Sequence, residues 1–226
     1  AMMYYFKDAG GGVASDGTVL PPTMQINPFI AVMNSMNYTA MTLGNHEFNF
    51  GSKVFVDTFA QAGFPILGAN VDDTGAYGIN KVSAGSSPDG LKVNVRDSIS
   101  VTLPSGNAVP LDVAILGITN HRVPNYELPS NIPGLTFSDP LAKAAELVPA
   151  LRAANDVVLA LTHIGFTENP GSVEVDANVD TNLAAQVPGI NTIIGSHSHT
   201  NPATGFGNYK YLPSIVAGPD GKPVLI

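Results

Sequence analysis

Three apolar runs in this chain end alike: MTLGNHE at 41–47, LALTHIG at 159–165 and IIGSHSHT at 193–200. Each begins as the short, continuously apolar segment that forms a strand covered on both faces, and each breaks into polar side chains at its carboxyl end. Open α/β sheets bind ligands outside the carboxyl ends of their strands, so the three breaks belong at one edge of one architecture. They hold four of the five histidines: His46, His163, His197 and His199. Neutral imidazole is the commonest transition-metal ligand, and a His-x-His loop can aim both rings at one ion or at two neighbouring ones. Asn45 sharpens the reading. An amide carbonyl has no charge with which to hold a cation, so it serves as a ligand only beside a dense positive centre, which points to two divalent ions rather than one. His121, in ITNHRVPNYELP, also follows an apolar run but has no polar cluster with it and reads as a loop residue. Asp8, Asp16 and Glu47 are ligands in principle, although carboxylates in exposed loops are usually only solvated.

Between these runs the pattern alternates strand and helix. Asn27-Pro28 predicts an N-cap and first helical residue ahead of FIAVMNSMN, followed by a buried strand in YTAMTL. A helix over about 52–62 stops at Gly63, and FPILGANV reads as one more buried strand. LKVNVRDSISVTL and AVPLDVAILGI, joined by PSGN, predict a hairpin. Residues 119–137 read as a Pro-rich loop. Ser138-Asp139-Pro140 then starts a long helix with Leu141, Ala144, Ala145, Leu147, Val148 and Leu151 turned inward. DVVLALTHIG is a strand, a short helix lies around 180–187, NTIIG is another strand, and a hairpin turns about Pro219-Asp220-Gly221. Residues 1–26 and 72–90 are turn-rich and read as loops. The expected class is α/β, layered around a partly parallel and largely buried sheet, with no repeat and no interdomain linker.

Composition narrows what such a fold does. At 226 residues, with 44% apolar and 12% charged residues, there is material for one large core and few surface ion pairs. A net charge of −8 without a basic tract argues against binding a nucleic-acid polymer. The absence of cysteine excludes disulfides, thiolate metal sites and cysteine nucleophiles, and fits an exported bacterial protein. No apolar run approaches the roughly 20 residues of a membrane helix. The opening AMMYYFKDAGGG does not read as a leader sequence, and Ala before Met reads as a cloning scar.

In order, GNHE, THIG and GSHSHT resemble the later motifs of the calcineurin-like metallophosphoesterases. The longer stretches MNSMNYTAMTLGNHEFNFG and QVPGINTIIGSHSHT are similar to the catalytic domain of bacterial 5'-nucleotidases and their 2',3'-cyclic-nucleotide phosphodiesterase/3'-nucleotidase relatives, a resemblance covering about residues 28–205. It implies a four-layer α/β/β/α sandwich with two divalent metal ions (Mn, Zn, Fe or Co) at the sheet's carboxyl edge. It further implies that Asn45, His163 and His197 hold the second ion and His199 the first. His46 would be no ligand but would stabilise charge on the phosphate or protonate the leaving group. A metal-bound hydroxide, between ions about 3.5–4 Å apart, would be the nucleophile. The implied partner is a nucleotide or other phosphate ester, and the implied location is periplasmic, secreted or cell-surface in a bacterium.

Two departures qualify the resemblance. The family opens with Asp-x-His and then a Gly-Asp whose carboxylate bridges both ions; here neither occurs, and DAGG at 8–11 puts Gly11 where the bridging Asp would stand. The expectation is therefore a catalytic domain over 1–226 that is N-terminally truncated, without the nucleotide-binding C-terminal domain. Its metal site would be incomplete and its turnover low. The second departure is Asn49, which stands where many 5'-nucleotidases place an Asp that supports the catalytic histidine. Asparagine there resembles the cyclic-phosphodiesterase branch, whereas THIGF and SHSHT lean toward 5'-nucleotidases. A 5'-nucleotidase is the first reading and the cyclic phosphodiesterase the alternative. A hydrolase of other phosphate or sulfur compounds, and a non-catalytic domain that has lost its first metal site, stand behind them. Oligomeric state is open.

Overall fold

The structure, a computed structural model, describes residues 27–79, 94–166, 177–199 and 215–226. The readings of Asp8, Gly11, Asp16 and the opening loop lie outside these residues. In chain order the helices are α1 (Pro28–Ser35), α2 (Gly51–Phe59), α3 (Val123–Tyr126), α4 (Pro140–Ala154) and α5 (Asp180–Gln186). The strands are β1 (Met41–Thr42), β2 (Ile66–Leu67), β3 (Val71–Asp73), β4 (Asn94–Thr102), β5 (Ala108–Thr119), β6 (Leu135–Phe137), β7 (Val157–His163), β8 (Thr192–Ile194), β9 (Ile215–Ala217) and β10 (Pro223–Leu225). The main sheet has six strands in the order β4-β5-β7-β8-β10-β9. β5, β7, β8 and β10 run parallel, and the antiparallel β4 and β9 close the two edges.

Side-chain parity along β7 shows how the layers stack. Its burial alternates, so Val158, Ala160 and Thr162 face one way while Val157, Leu159, Leu161 and His163 face the other. The first face is covered by α4 and α5, where Leu116, Ile118, Ala144, Val148, Ala160, Leu183 and Ala184 form one core. The second face meets the parallel pair β1–β2 through Leu67, Val113, Ile115, Leu159 and Leu161. Beyond that pair lie α1 and α2, packed through Ile30, Phe48, Phe55, Phe59, Phe64 and Ile66. The order is thus helix, sheet, sheet, helix. The inner sheets approach most closely at Gly117 of β5, where an added Cβ would lie 2.2 Å from Leu67 Cβ and 3.0 Å from its carbonyl carbon. The Ala69 N–H donates to the Gly117 carbonyl at 2.9 Å and ties the layers together there.

The local signals behind these elements are mostly those expected. Asn27 caps α1, its Oδ1 accepting from the Phe29 and Ile30 N–H groups. Asp139 caps α4 by accepting from the Ala142 N–H at 2.8 Å, with Pro140 as first helical residue. The β4–β5 hairpin turns through PSGN, with Gly106 at φ +85°. Three expectations change. FPILGANV is not one strand, because the chain leaves β2 at Gly68 and enters β3, which pairs antiparallel with β6. The segment 119–137 is not plain loop: it contains α3, a 3-10 turn at Pro129–Asn131 and β6. Ala145 is exposed, because α4 lies on the sheet along the narrow stripe of Leu141, Ala144, Val148 and Leu151.

Candidate active site

Because β5, β7 and β8 run parallel, the residues that follow them emerge at one edge. Asn120 follows β5, His163 ends β7, and Ser196, His197, Ser198 and His199 follow β8. The opposing layer delivers its own group to the same edge, since β1 leads through Gly44 into a 3-10 turn of Asn45, His46, Glu47 and Phe48. Phe48 is fully buried, stacked on Phe55 at 5.6 Å and edge-on to Phe137 at 5.2 Å. Burying such a ring is worth about 1.5–3 kcal/mol, enough to moor a turn that otherwise presents only polar groups. Glu47 closes the turn by accepting the Gly44 N–H at 2.8 Å. Its role is structural, and burial raises its pKa, a shift the Gly44 bond partly offsets. At Gly44 a Cβ would lie 2.8 Å from His163 Cε1, so the glycine lets the turn close on the imidazole.

The histidines and Asn45 converge. His163 Nε2 lies 3.0 Å from Asn45 Oδ1. The His163 and His197 rings are 5.0 Å apart, centre to centre. Burial lowers the His163 pKa to about 4, and the neighbouring His197, His46 and His199 push it the same way, so the ring is neutral at pH 7. Its tautomer follows from Ser196. The Ser196 Oγ lies 2.9 Å from the Thr162 carbonyl, which can only accept, and 2.8 Å from His163 Nδ1. The single hydroxyl proton goes to the carbonyl, so Oγ accepts from Nδ1–H and leaves the lone pair on Nε2. That lone pair then faces the lone pairs of Asn45 Oδ1, a contact relieved by a shared cation or by reversal of the amide.

His197 is held differently. Asn120 Oδ1 accepts the Arg122 N–H at 2.8 Å, so its NH2 donates to His197 Nε2 at 3.0 Å; a neutral ring then carries its proton on Nδ1, and Nε2 is free for a cation only when the Asn120 amide releases it. His197 and His199 both adopt left-handed backbone, at φ +88° and +53°. Such φ values are uncommon for residues other than glycine and cluster at functional loops. His199 is exposed and lines a cavity of about 440 Å³ with His163, Asp180, Ser196 and His197. Among the described residues no three His, Asp or Glu side chains gather as a metal-binding group. The set that does converge is two imidazoles and one amide oxygen. This donor set fits one divalent transition ion once Asn120 releases His197 Nε2, and it contains no carboxylate to bridge to another.

His46 stands beside this set on the same turn. It is exposed, and its Nδ1 lies 2.8 Å from Asn49 Oδ1. Behind Asn49 stands a residue that sequence reading did not single out. Asn49 Nδ2 donates to Glu127 Oε2 at 2.5 Å, and Glu127 Oε1 accepts from Asn131 Nδ2 and the Leu128 N–H at 3.0 and 3.1 Å. Asn120, Glu127 and Asn131 all come from 119–137. The available signal was that β5 is parallel to β7, with Thr119 opposite His163, so its following segment had to reach the same edge. His121 is half-buried there, directly after β5.

Asp180, at the start of α5, is 1% exposed and accepts the Thr162 hydroxyl at 2.5 Å. Burial pushes its pKa up to about 7 and the Thr162 bond offsets only part of that. Between about pH 4 and 7 the folded chain keeps a proton that the unfolded chain has released. Asp180's contribution to the stability of the metal-free protein therefore falls across that window, by on the order of 3–4 kcal/mol, and levels off above it, while His163, whose folded pKa is lowered, contributes a rise over about pH 4–6.5 that opposes it. Asp180→Asn keeps an acceptor for Thr162 and removes the charge, so it should flatten this slope and be more stable than the parent at pH 8. Urea unfolding of both proteins at pH 5 and pH 8 checks this; a stability difference between variant and parent that does not grow from pH 5 to pH 8 contradicts it.

No protein-family profile matches the chain. Curated relatives do. The chain is 32% identical over 175 residues to the trifunctional nucleotide phosphoesterase protein YfkN of Bacillus subtilis, covering 76% of this chain and 11% of that one. It is 31% identical over 175 residues to the 2',3'-cyclic-nucleotide 2'-phosphodiesterase/3'-nucleotidase of Haemophilus influenzae, covering 76% of this chain and 25% of that one. Among solved structures, the 5'-nucleotidase precursor of Thermus thermophilus superposes with a TM-score of 0.60 at 28% identity, over 87% of this chain and 34% of that chain. The chain thus spans about a third or less of the length of each of these proteins. The order of layers, the edge at which the histidines meet and these likenesses agree: the chain belongs to the calcineurin-like metallophosphoesterases, in the branch of the 5'-nucleotidases and cyclic-nucleotide phosphodiesterases.

Proposed function

We propose that this chain is the catalytic part of a metal-dependent phosphoric ester hydrolase of nucleotides, with 5'-nucleotides as first substrate and 2',3'-cyclic nucleotides as the alternative. The observation that carries the reading is the meeting of Asn45 Oδ1 with the Nε2 of a neutral His163 at the edge that also holds His46, His197 and His199. Asn45, His163 and His197 would hold one divalent ion, and His199 would contribute to a second. When bound, such ions polarise the phosphoryl oxygens and lower the pKa of water.

The chain's own residues do the rest. Ser196 holds His163 as the Nδ1–H tautomer, so the ring presents Nε2 without a change of protonation at neutral pH. Asn120 holds His197 through Nε2 in the metal-free chain and would have to release it for the ring to reach a cation. His46, whose Nδ1–H is engaged by Asn49, turns Nε2 to the substrate, where the doubly protonated ring would stabilise phosphate charge or give its Nε2 proton to the leaving oxygen. With Gly11 where the resemblance places the bridging Asp, and no Asp-x-His in the sequence, turnover is expected to be low. The family likeness and the lack of cysteine favour a location outside the cytoplasm, and no helix among the described residues is long and apolar enough to cross a membrane.

Asn49 is the observation that favours the second substrate class, since its pattern resembles the cyclic-phosphodiesterase branch. Initial rates on AMP, 3'-AMP and 2',3'-cyclic AMP at saturating Mn²⁺ and Zn²⁺ separate the readings. AMP hydrolysed fastest supports the first, and the cyclic ester fastest supports the second. No hydrolysis of any of the three, by protein shown to contain metal, supports the non-catalytic reading instead.

A further inference from the structure

We propose that Glu127 is the positioning residue for His46 and acts through the Asn49 amide; the inference rests on the reading of His46 as the substrate-facing histidine. An asparagine beside a catalytic histidine has a weakness, because its amide can present either oxygen or NH2 to the ring. Presented with NH2, the ring must accept at Nδ1 and carry its proton on Nε2; presented with oxygen, it carries the proton on Nδ1. Here the choice is made from behind. An ionised carboxylate only accepts, so Glu127 Oε2 at 2.5 Å requires the Asn49 NH2, and Asn49 Oδ1 is left for His46 Nδ1 at 2.8 Å.

The carboxylate is itself fixed. Asn131 Nδ2 bonds both Glu127 Oε1 at 3.0 Å and the Asn49 carbonyl at 2.9 Å, and the Leu128 N–H adds a third donor to the carboxylate at 3.1 Å. Glu127 follows α3 and precedes the 3-10 turn at Pro129–Asn131, so two short elements set its position. His46, Asn49 and Glu127 form a relay in which the negative charge stands one residue further from the imidazole than in a His–Asp pair. Glu127 touches no reacting atom in this arrangement. It supplies the tautomer.

The test reads the tautomer directly. Long-range ¹H–¹⁵N correlation on the metal-free full chain, at a pH where the ring is neutral, shows which nitrogen of His46 is protonated; a His46→Gln spectrum assigns the ring. The parent should be Nδ1–H. Glu127→Gln, whose side chain can donate as well as accept, should give a mixture with Nε2–H. In the metal-loaded protein the same variant should lose roughly 10–100-fold in kcat with KM little changed. The double variant N49D/E127Q reverses the order of carboxylate and amide while keeping the bond between them, and should restore Nδ1–H. A parent-like His46 spectrum in Glu127→Gln overturns the proposal even if the variant is less stable, and so does a double variant that fails to restore the parent tautomer. If loaded protein hydrolyses no phosphate ester, the functional reading fails, yet the metal-free spectra still decide the role of Glu127.

Discussion

Replacing His46 by alanine is expected to lower kcat by about 10²–10⁴-fold, the usual contribution of a positioned acid or base, while the bound metal stays the same. The expectation rests on where the side chain stands. His46 is exposed, and among the described residues its hydrogen bond is to Asn49. The turn that holds it is moored by Phe48 and closed by Glu47, neither of which depends on the imidazole. Truncation should therefore spare the fold and the Asn45–His163 contact. Steady-state kinetics at saturating Mn²⁺, on AMP or on the activated ester p-nitrophenyl phosphate, give the rate, and elemental analysis gives the metal content. A variant that loses metal in step with activity would make His46 a ligand and contradict the role assigned to it.

Gly117→Ala is expected to be the most damaging conservative change in the core. The new methyl would meet Leu67 Cβ at 2.2 Å and the Leu67 backbone at 3.0 Å, so no rotamer change relieves it. β5 cannot retreat, because its neighbours β4 and β7 are paired along its length. The two inner sheets must part, which weakens the packing of Leu67 on Val113 and Ile115 and the Ala69–Gly117 bond. Overpacking of this kind costs about 1–3 kcal/mol, or roughly 2–12 °C in unfolding midpoint for a chain of this size. Calorimetry on the variant checks it. A midpoint at the parent value would mean that the sheets do not meet at this residue.

Much of this geometry was legible before any coordinates. Continuous apolar runs announced buried strands, and polar breaks at their ends announced the edge at which His46, His163, His197 and His199 meet. The helix starts at Asn27-Pro28 and Asp139-Pro140 were visible because caps are local chemistry. What could not be read was whatever depends on pairing across the chain. β2 and β3 looked like one strand, since in FPILGANV no charge falls between Ile66 and Val71 to show that its halves pair with different partners. β6 was hidden because three residues carry almost no periodicity, and its strand character comes from β3. Glu127 and Asn131 were missed for the same reason. Nothing local to YELPSN marks them as neighbours of Asn49, and only the parallel course of β5 and β7 brings them there. Ser196 gave no local sign either, because a serine between a glycine and a histidine shows its role only once the Thr162 carbonyl is seen beside it.

The central claim is that Asn45, His163 and His197 make a cation site. Isothermal titration of the metal-free chain with Mn²⁺ and with Zn²⁺, set beside His163→Ala, tests it most directly. The account predicts saturable binding of at least one ion by the parent and a loss of affinity greater than about tenfold in the variant. Equal binding by the two proteins, or no saturable binding by either, would contradict it.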